Sequence, residues 1–120
     1  MKISEVAQRT GLSISTIRYY ENAGLCPAVA RGPDGKRRFS ANDADWFLLL
    51  ASLRATGMPL SQMRAFAALY AAGDETVQQR KTALLAHRES LSQRQAELDR
   101  CRSLLDRKLQ KYDEILETRE

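Results

Sequence analysis

The chain has 120 residues, of which 28% are charged and 43% hydrophobic, and its formal net charge is +4. This length allows one small domain and an extension, while two cysteines and one histidine provide neither a disulfide framework nor a ligand cluster. We therefore predict no metal, no cofactor and a reducing, cytoplasmic location. The N-terminus has no apolar signal core and the longest apolar runs are far too short to span a bilayer, so no membrane association is expected.

The positive charge is concentrated at the start of the chain. Residues 1–40 contain seven lysines and arginines against three acidic residues, whereas residues 41–120 contain twelve of each. A nucleic-acid backbone favours such clustering, because each phosphate that is neutralised releases counterions. An ordinary basic surface is the alternative, and charge alone leaves both interpretations open.

Two short helices are predicted first. Ser4 is positioned to cap one helix, and Gly11 ends it because glycine readily adopts the left-handed conformation of a helix stop. Ser13 is positioned to cap a second helix, which runs to about Ala23. This pattern predicts a helix-turn-helix, whose second helix normally enters the major groove of DNA.

The front of that second helix carries hydroxyls, a guanidinium and aromatic rings, which suit contact with DNA. These residues are Ser15, Thr16, Arg18, Tyr19 and Tyr20. A β-hairpin is predicted next, with an extended arm over Leu25–Ala30, a tight turn over Gly32–Gly35 and a return over Lys36–Phe39. The hairpin forms a wing whose cations Lys36, Arg37 and Arg38 are expected to reach phosphates beside the groove.

Two further helices follow the wing. Ser40 and Asp43 form a predicted capping box, from which a helix runs over residues 42–56 to Gly57, and Pro59 opens the next helix. Trp46 and Phe47 are interpreted as core residues.

The last third is predicted to be one long helix. No glycine or proline occurs from Asp74 onward, and apolar residues recur every seven positions at Leu84, Leu91, Leu98, Leu105 and Tyr112. Leu109 and Leu116 begin a second row. This periodicity predicts a coiled-coil seam, and a lone helix of this kind needs a partner to cover its leucines. We divide the chain into a DNA-binding domain with connector helices, 1–73, and a dimerisation helix, 74–120.

The chain resembles regulators of the MerR family over essentially its whole length. The matching residues are Ile3–Ala7, Gly11–Ser13, Thr16–Glu21, Gly24, Leu25, Arg37, Phe39, Asp43, Leu53, Arg54, Gly57 and Met58. The resemblance implies a mainly α fold: a winged helix-turn-helix, a two-helix connector and an antiparallel coiled coil that joins two subunits. It also implies a homodimer on a pseudo-palindromic promoter, where underwinding and bending of the spacer realign the promoter for RNA polymerase. This uses the deformability of DNA as well as base contacts.

The same resemblance assigns roles by position. Arg18 and Tyr19 match contacts of the recognition helix, and Arg37 matches a wing arginine at a backbone phosphate. Lys36 and Arg38 are assigned on charge alone. The remaining assignments, to phosphate contact or to packing, are Ser15, Thr16 and Tyr20.

The signal to which the protein responds is predicted from positions at which the chain departs from the family pattern. Metal-sensing members of the family place a cysteine at the start of the long helix, where this chain has Thr76-Val77, and more cysteines in a loop after it. One branch of the family takes part in the stress response to aldehydes or nitrosothiols. Its members usually have a cysteine in the first connector helix, where this chain has Ser52. Serine is a poor nucleophile without a paired base. We expect no metal response, no thiol chemistry at that position and no C-terminal ligand-binding domain.

Two effector sites stay open. An inducer would be a small molecule between the connector helices and the partner's long helix, walled by residues such as Met58, Phe66 and Tyr70, unless these form a closed core. The runner-up is oxidation or alkylation of Cys101, whose thiol lies between Arg100 and Arg102. Packing is favoured for both Cys101 and Cys26, and a solvated surface position for His87.

Three classes of function stay open: a promoter-binding regulator, an architectural or partner-recruiting DNA-binding protein without an inducer, and an enzyme. The sequence has no visible nucleophile–base pair, metal cluster or phosphate loop, so we predict that the protein is not an enzyme.

Overall fold

The fold is known from a computed structural model, which describes residues 1–27 and 29–119. Its helices are α1 (Ile3–Thr10), α2 (Ile14–Asn22), α3 (Ala41–Ala55), α4 (Leu60–Ala71) and α5 (Val77–Glu117). The strands β1 (Ala30–Arg31) and β2 (Arg37–Arg38) lie between α2 and α3, and a 3₁₀ turn (Asp74–Thr76) precedes α5. This order confirms the predicted winged helix-turn-helix, connector helices and long last helix.

The helix ends follow local hydrogen bonding. The Ser13 hydroxyl accepts the Thr16 amide at 3.1 Å, and Ser40 forms the predicted capping box with Asp43 at the start of α3. The predicted cap at Ser4 is wrong. Lys2 holds the capping position, and its carbonyl accepts the amides of Glu5 and Val6, so Ser4 lies inside the first turn.

The first compact unit, Met1–Ala83, has its core where α1 packs against α2 and α3. Its largest fully buried side chains are Phe47, Ile17, Leu25, Leu50, Met63 and Val6. Trp46 is also buried, and its indole N–H donates to the Leu25 carbonyl at 2.7 Å. This bond connects α3 to the turn that follows α2, and it confirms that Trp46 and Phe47 are core residues.

The wing is a short antiparallel hairpin in which Ala30 pairs with Arg38, and Arg31 with Arg37. The chain start lies beside it, because the Phe39 amide donates to the Met1 carbonyl at 2.9 Å and the Met1 nitrogen donates back to the Phe39 carbonyl. Lys2 is therefore held next to the end of β2.

The second compact unit begins at Leu84 and contains most of α5. Every described residue from Leu91 to residue 119 is exposed, including the predicted seam leucines; Leu98 is 62% exposed. Leu104 and Ile115 add exposed apolar area that the seven-residue pattern did not include. Within residues 1–27 and 29–119, no helix is long and apolar enough to cross a membrane.

Candidate nucleic-acid interface

The recognition helix α2 presents two of the predicted contact residues outward. Arg18 and Tyr19 are exposed, with Tyr19 at 49%, whereas Ile17 is buried and Tyr20 is only 5% exposed. The rings of Tyr19 and Tyr20 are 6.0 Å apart. Burial therefore favours packing for Tyr20 over contact with a phosphate, and leaves Arg18 and Tyr19 available to a groove.

The hydroxyls at the start of α2 form one small cluster. The Ser13 hydroxyl oxygen lies 3.0 Å from that of Ser15 and 2.8 Å from that of Thr16. A hydroxyl has one donor and two acceptor positions, so Ser15 and Thr16 keep hydrogen-bonding capacity for a phosphate while they support the cap.

The three wing cations have different environments. Arg37 forms an ion pair through Nε with Glu21 of α2, whose side chain is 11% exposed and whose Oε1 is buried without a hydrogen-bond partner among the described residues. Arg38 lies 3.6 Å from Asp34 at the surface. Lys36 has no carboxylate partner within residues 1–27 and 29–119. Arg37 thus ties the wing to the recognition helix, a role that sequence reasoning did not identify.

A cleft of about 650 Å³ lies between the start of α1, the outer face of α2 and the wing. We call it the basic cleft, and the cations that line it are Lys2, Arg18, Arg31, Lys36, Arg37 and Arg38. Sequence reasoning selected four of these six. It missed Lys2 and Arg31, which were counted in the charge but lie apart from the recognition helix and the cationic triplet.

The two cysteines differ in exposure. Cys26 is half-buried, and burial, together with the nearby Glu21 and Asp43 carboxylates, raises the pKa of its thiol to about 12. Its thiolate is therefore scarce at neutral pH, which agrees with a packing role. Cys101 is exposed on α5.

The predicted effector residues do not share one environment. Met58 and Phe66 are buried and Tyr70 is half-buried, whereas Ser52 is exposed on α3. Trp46 stacks on Phe66 and lies 4.3 Å from Tyr70 between ring centroids, and the Arg80 guanidinium lies over the Tyr70 ring. This packing favours a closed core at Phe66 and Tyr70 over an inducer pocket.

The short β-hairpin wing beside a helix-turn-helix, with the basic cleft between them, defines a winged helix-turn-helix protein with a surface suited to nucleic acid. A family model described as MerR HTH family regulatory protein matches residues 1–68, and a second, described as MerR, DNA binding, matches residues 48–108. The chain belongs to the MerR family and is a DNA-binding transcriptional regulator of that type.

Individual proteins that are similar to this chain are also described as transcriptional regulators of the helix-turn-helix or MerR type. An uncharacterized HTH-type transcriptional regulator of Haemophilus influenzae is 36% identical over 109 residues, which cover 91% of this chain and 81% of that protein. The HTH-type transcriptional regulator AdhR of Bacillus subtilis is 35% identical over 91 residues, covering 76% of this chain and 65% of AdhR. The solved structure of HiNmlR, described as a MerR family regulator lacking the sensor domain and bound to promoter DNA, superposes with a TM-score of 0.82 at 34% identity, covering 94% of this chain and 90% of that one.

Proposed function

We propose that a homodimer of this chain binds a pseudo-palindromic operator within a promoter and controls transcription by distorting the spacer DNA. The observation that carries DNA binding is the exposed pair Arg18 and Tyr19 on α2 beside the basic cleft. An exposed arginine on a recognition helix suits bidentate contact with a guanine edge, and the cleft supplies phosphate contacts. The description of HiNmlR as bound to promoter DNA supports this use of the fold. We also propose that the protein acts in the cytoplasm.

The proposal of a homodimer is supported by the exposed apolar rows of α5. Leu98, Leu105, Leu109 and Leu116 are all more than half exposed, and a helix with such a stripe is stabilised when a second helix covers it. In an antiparallel pair, two-fold symmetry gives two equivalent DNA-reading units. These units would read the two half-sites of a pseudo-palindrome.

The regulatory step we propose is a change in the geometry of the spacer. Promoter elements that are spaced too far apart for RNA polymerase are realigned when the bound dimer underwinds and bends the DNA between them. The free energy for this deformation comes from contacts that the bent DNA permits. The mechanism predicts that the need for the protein depends on spacer length.

The test combines a footprint with transcription in vitro. Purified protein should protect two symmetric half-sites upstream of its own gene, and RNA polymerase should need it on the native promoter. A promoter shortened to the spacing that polymerase prefers should be transcribed without the protein. Protection with no effect on transcription at any spacer length would instead indicate an architectural or partner-recruiting DNA-binding protein.

For the signal, we propose that Ser52 provides no thiol chemistry and that no metal is sensed. Ser52 is exposed, and no group of three or more histidine, cysteine or acidic side chains within residues 1–27 and 29–119 is arranged to hold a metal ion. The promoter assay is repeated with formaldehyde, a nitrosothiol, zinc or copper, in the wild type and in Cys101→Ser. A zinc response with tight binding would contradict the metal-free proposal.

A further inference from the structure

We propose that Arg80 is a positioning residue, which holds the start of α5 in a fixed relation to the recognition helix and so sets how far the bound dimer distorts the DNA. This role rests on the proposed function and deepens it, because it assigns the distortion of the spacer to a particular side chain. Arg80 lies in the first turn of α5, apart from the recognition helix and the wing.

The joint between α4 and α5 is organised around the hydroxyl of Thr76. This side chain is only 8% exposed, and a buried hydroxyl needs hydrogen-bond partners. Its proton is shared between the carbonyls of Leu69 and Gly73, at 2.5 and 2.8 Å. Gly73 has a φ of 97°, a backbone conformation that glycine adopts without steric cost. The end of α4, the turn and the 3₁₀ segment are therefore tied together before α5 begins.

Arg80 closes this joint from the side of α5. Its Nε donates to the Thr76 hydroxyl oxygen at 3.1 Å, and a terminal nitrogen donates to the Gly73 carbonyl at 3.2 Å. The guanidinium carbon lies 5.2 Å from the centroid of the Tyr70 ring, within the range of a cation–π interaction. One planar group thus contacts α4, the turn and the 3₁₀ segment together. A lysine ammonium has no planar fork and cannot make these contacts simultaneously.

Packed groups continue from Tyr70 to the recognition helix. The centroids of the Tyr70 and Trp46 rings are 4.3 Å apart, and the Trp46 indole donates to the Leu25 carbonyl at 2.7 Å. The Leu25 amide donates in turn to the Tyr20 carbonyl of α2 at 2.9 Å. All these residues, and Arg80, lie within the first compact unit. Because close-packed interiors transmit strain, we expect the start of α5 and the end of α2 to move together.

The stiffness of this connection bears on the proposed distortion of DNA. In a dimer joined through α5, each recognition helix acts on its half-site through one such joint. Bending and underwinding of the spacer cost free energy, so a compliant joint would yield in place of the DNA. A dimer with loosened joints should therefore still bind its operator, but should leave the spacer closer to its relaxed geometry.

The test compares Arg80→Ala, Arg80→Lys and Thr76→Val with a matched control, Lys81→Ala. Lys81 is the neighbouring cation of α5 and is exposed, so its removal changes the net charge as Arg80→Ala does and leaves the contacts of the joint in place. Sedimentation and urea unfolding verify that each variant is a folded dimer. If Arg80→Ala does not fold, Arg80→Lys carries the test, because it keeps the charge and most of the aliphatic stem.

Distortion is measured at saturating protein, by energy transfer between dyes at the two ends of a duplex from the upstream region. The wild type and Lys81→Ala should raise the transfer equally. Arg80→Ala should raise it less, while it binds the operator as tightly as the wild type or more tightly. Transcription from the native promoter should fall by at least about fivefold, and a spacer shortened by single base pairs should restore it. Arg80→Lys should be intermediate, and full distortion by this variant would overturn the role of the guanidinium.

Thr76→Val removes the oxygen that accepts the Nε hydrogen of Arg80. Because the two side chains act on one joint, Thr76→Val combined with Arg80→Ala should lower transcription by less than the product of the separate effects. Losses that multiply would show that the two residues act independently, which contradicts a joint that works as a unit.

The outcomes separate the positioning role from the proposed function. If the wild type distorts the duplex and Arg80→Ala and Arg80→Lys keep its energy transfer and its spacer-length profile, the positioning role is wrong and the proposed function stands. Weaker operator binding in proportion to a lower free energy of unfolding would assign Arg80 to stability alone and would also overturn the role. If the wild type binds its operator without distortion, or does not bind it, the proposed function fails and the positioning role fails with it.

Discussion

At the scale of single residues, neighbours on α2 have opposite environments because each residue turns about 100° around a helix axis. Ile17 and Tyr20 enter the core, while Arg18 and Tyr19 between them are exposed. One side of α2 can therefore pack in the core while the opposite side stays available to contact DNA. Residues on its outer face can be changed with little effect on folding.

Arg18→Ala should weaken operator binding by about 1–3 kcal/mol and reduce the preference for the operator over a scrambled duplex, if the guanidinium reads a base edge. Fluorescence anisotropy with both duplexes measures the two effects. Arg18→Lys keeps the charge but not the bidentate geometry, so it should recover affinity for the scrambled duplex more than preference for the operator. Equal losses on both duplexes would show that Arg18 contacts only the backbone.

The second residue-scale prediction concerns the cysteines. Because the pKa of Cys26 is raised to about 12, iodoacetamide at pH 8 should modify the exposed Cys101 first and leave Cys26 largely unmodified.

The raised pKa of Cys26 also predicts how stability depends on pH. The ordinary thiol pKa is near 9, so the folded protein binds more protons than the unfolded one between about pH 9 and 12. Stability from the protonated thiol is present below pH 9 and is lost as the pH rises through this window. Mass spectrometry of alkylated peptides and unfolding of Cys26→Ser at alkaline pH check both statements.

At the scale of elements, the wing has only two residues in each strand and depends on contacts outside the hairpin. The Arg37–Glu21 pair joins β2 to α2, and the Met1–Phe39 hydrogen bonds join the chain start to the residue after β2. These contacts hold the wing against the recognition helix and the chain start, so we expect a change in the Arg37–Glu21 pair to affect DNA binding as well as stability.

Arg37→Ala should lower the free energy of unfolding by roughly 1–3 kcal/mol, because it leaves the largely buried Glu21 carboxylate without its cation. Arg38→Ala is the matched control: it removes the neighbouring arginine, whose pair with Asp34 is exposed and contributes about 0–1 kcal/mol. Urea unfolding of the two variants measures the difference. Equal destabilisation would mean that the buried position of Glu21 does not matter. A wing phosphate contact by Arg37 stays a prediction, tested by the salt dependence of DNA binding.

At the scale of the whole molecule, α5 cannot cover its own apolar rows. Its described residues from Leu91 onward are all exposed, and its 41 residues span roughly 60 Å at the helical rise. An antiparallel homodimer brings each residue opposite its own copy only near the crossing point, whereas a parallel pair does so along the whole length. The orientation can therefore be read from cross-linking.

Oxidised wild-type protein should not form a Cys101-linked dimer. If the helices cross at the midpoint of Val77–Glu117, the two Cys101 positions are offset by about 12 Å along the axis, which is beyond the reach of a disulfide. Leu98→Cys in a Cys101→Ser background lies next to that midpoint and should cross-link. Sedimentation should show a dimer at micromolar concentration for the wild type. A monomer, or ready linkage through Cys101, would contradict the antiparallel dimer.

The sequence by itself determined the features that depend on nearby residues: the order of the elements, the caps at Ser13 and Ser40, the wing turn and the long helix with its apolar rows. These follow from local hydrogen bonding and from periodicity, which act over a few residues. Only the tertiary structure decided which cations are paired. Arg37 and Glu21 are 16 residues apart, and Met1 and Phe39 are 38 apart. A count of charges gives every cation equal weight. In the folded chain, Glu21 is buried against Arg37, and Lys2 is held beside the wing. Such contacts join residues that are distant in sequence, so they form only when the helices pack.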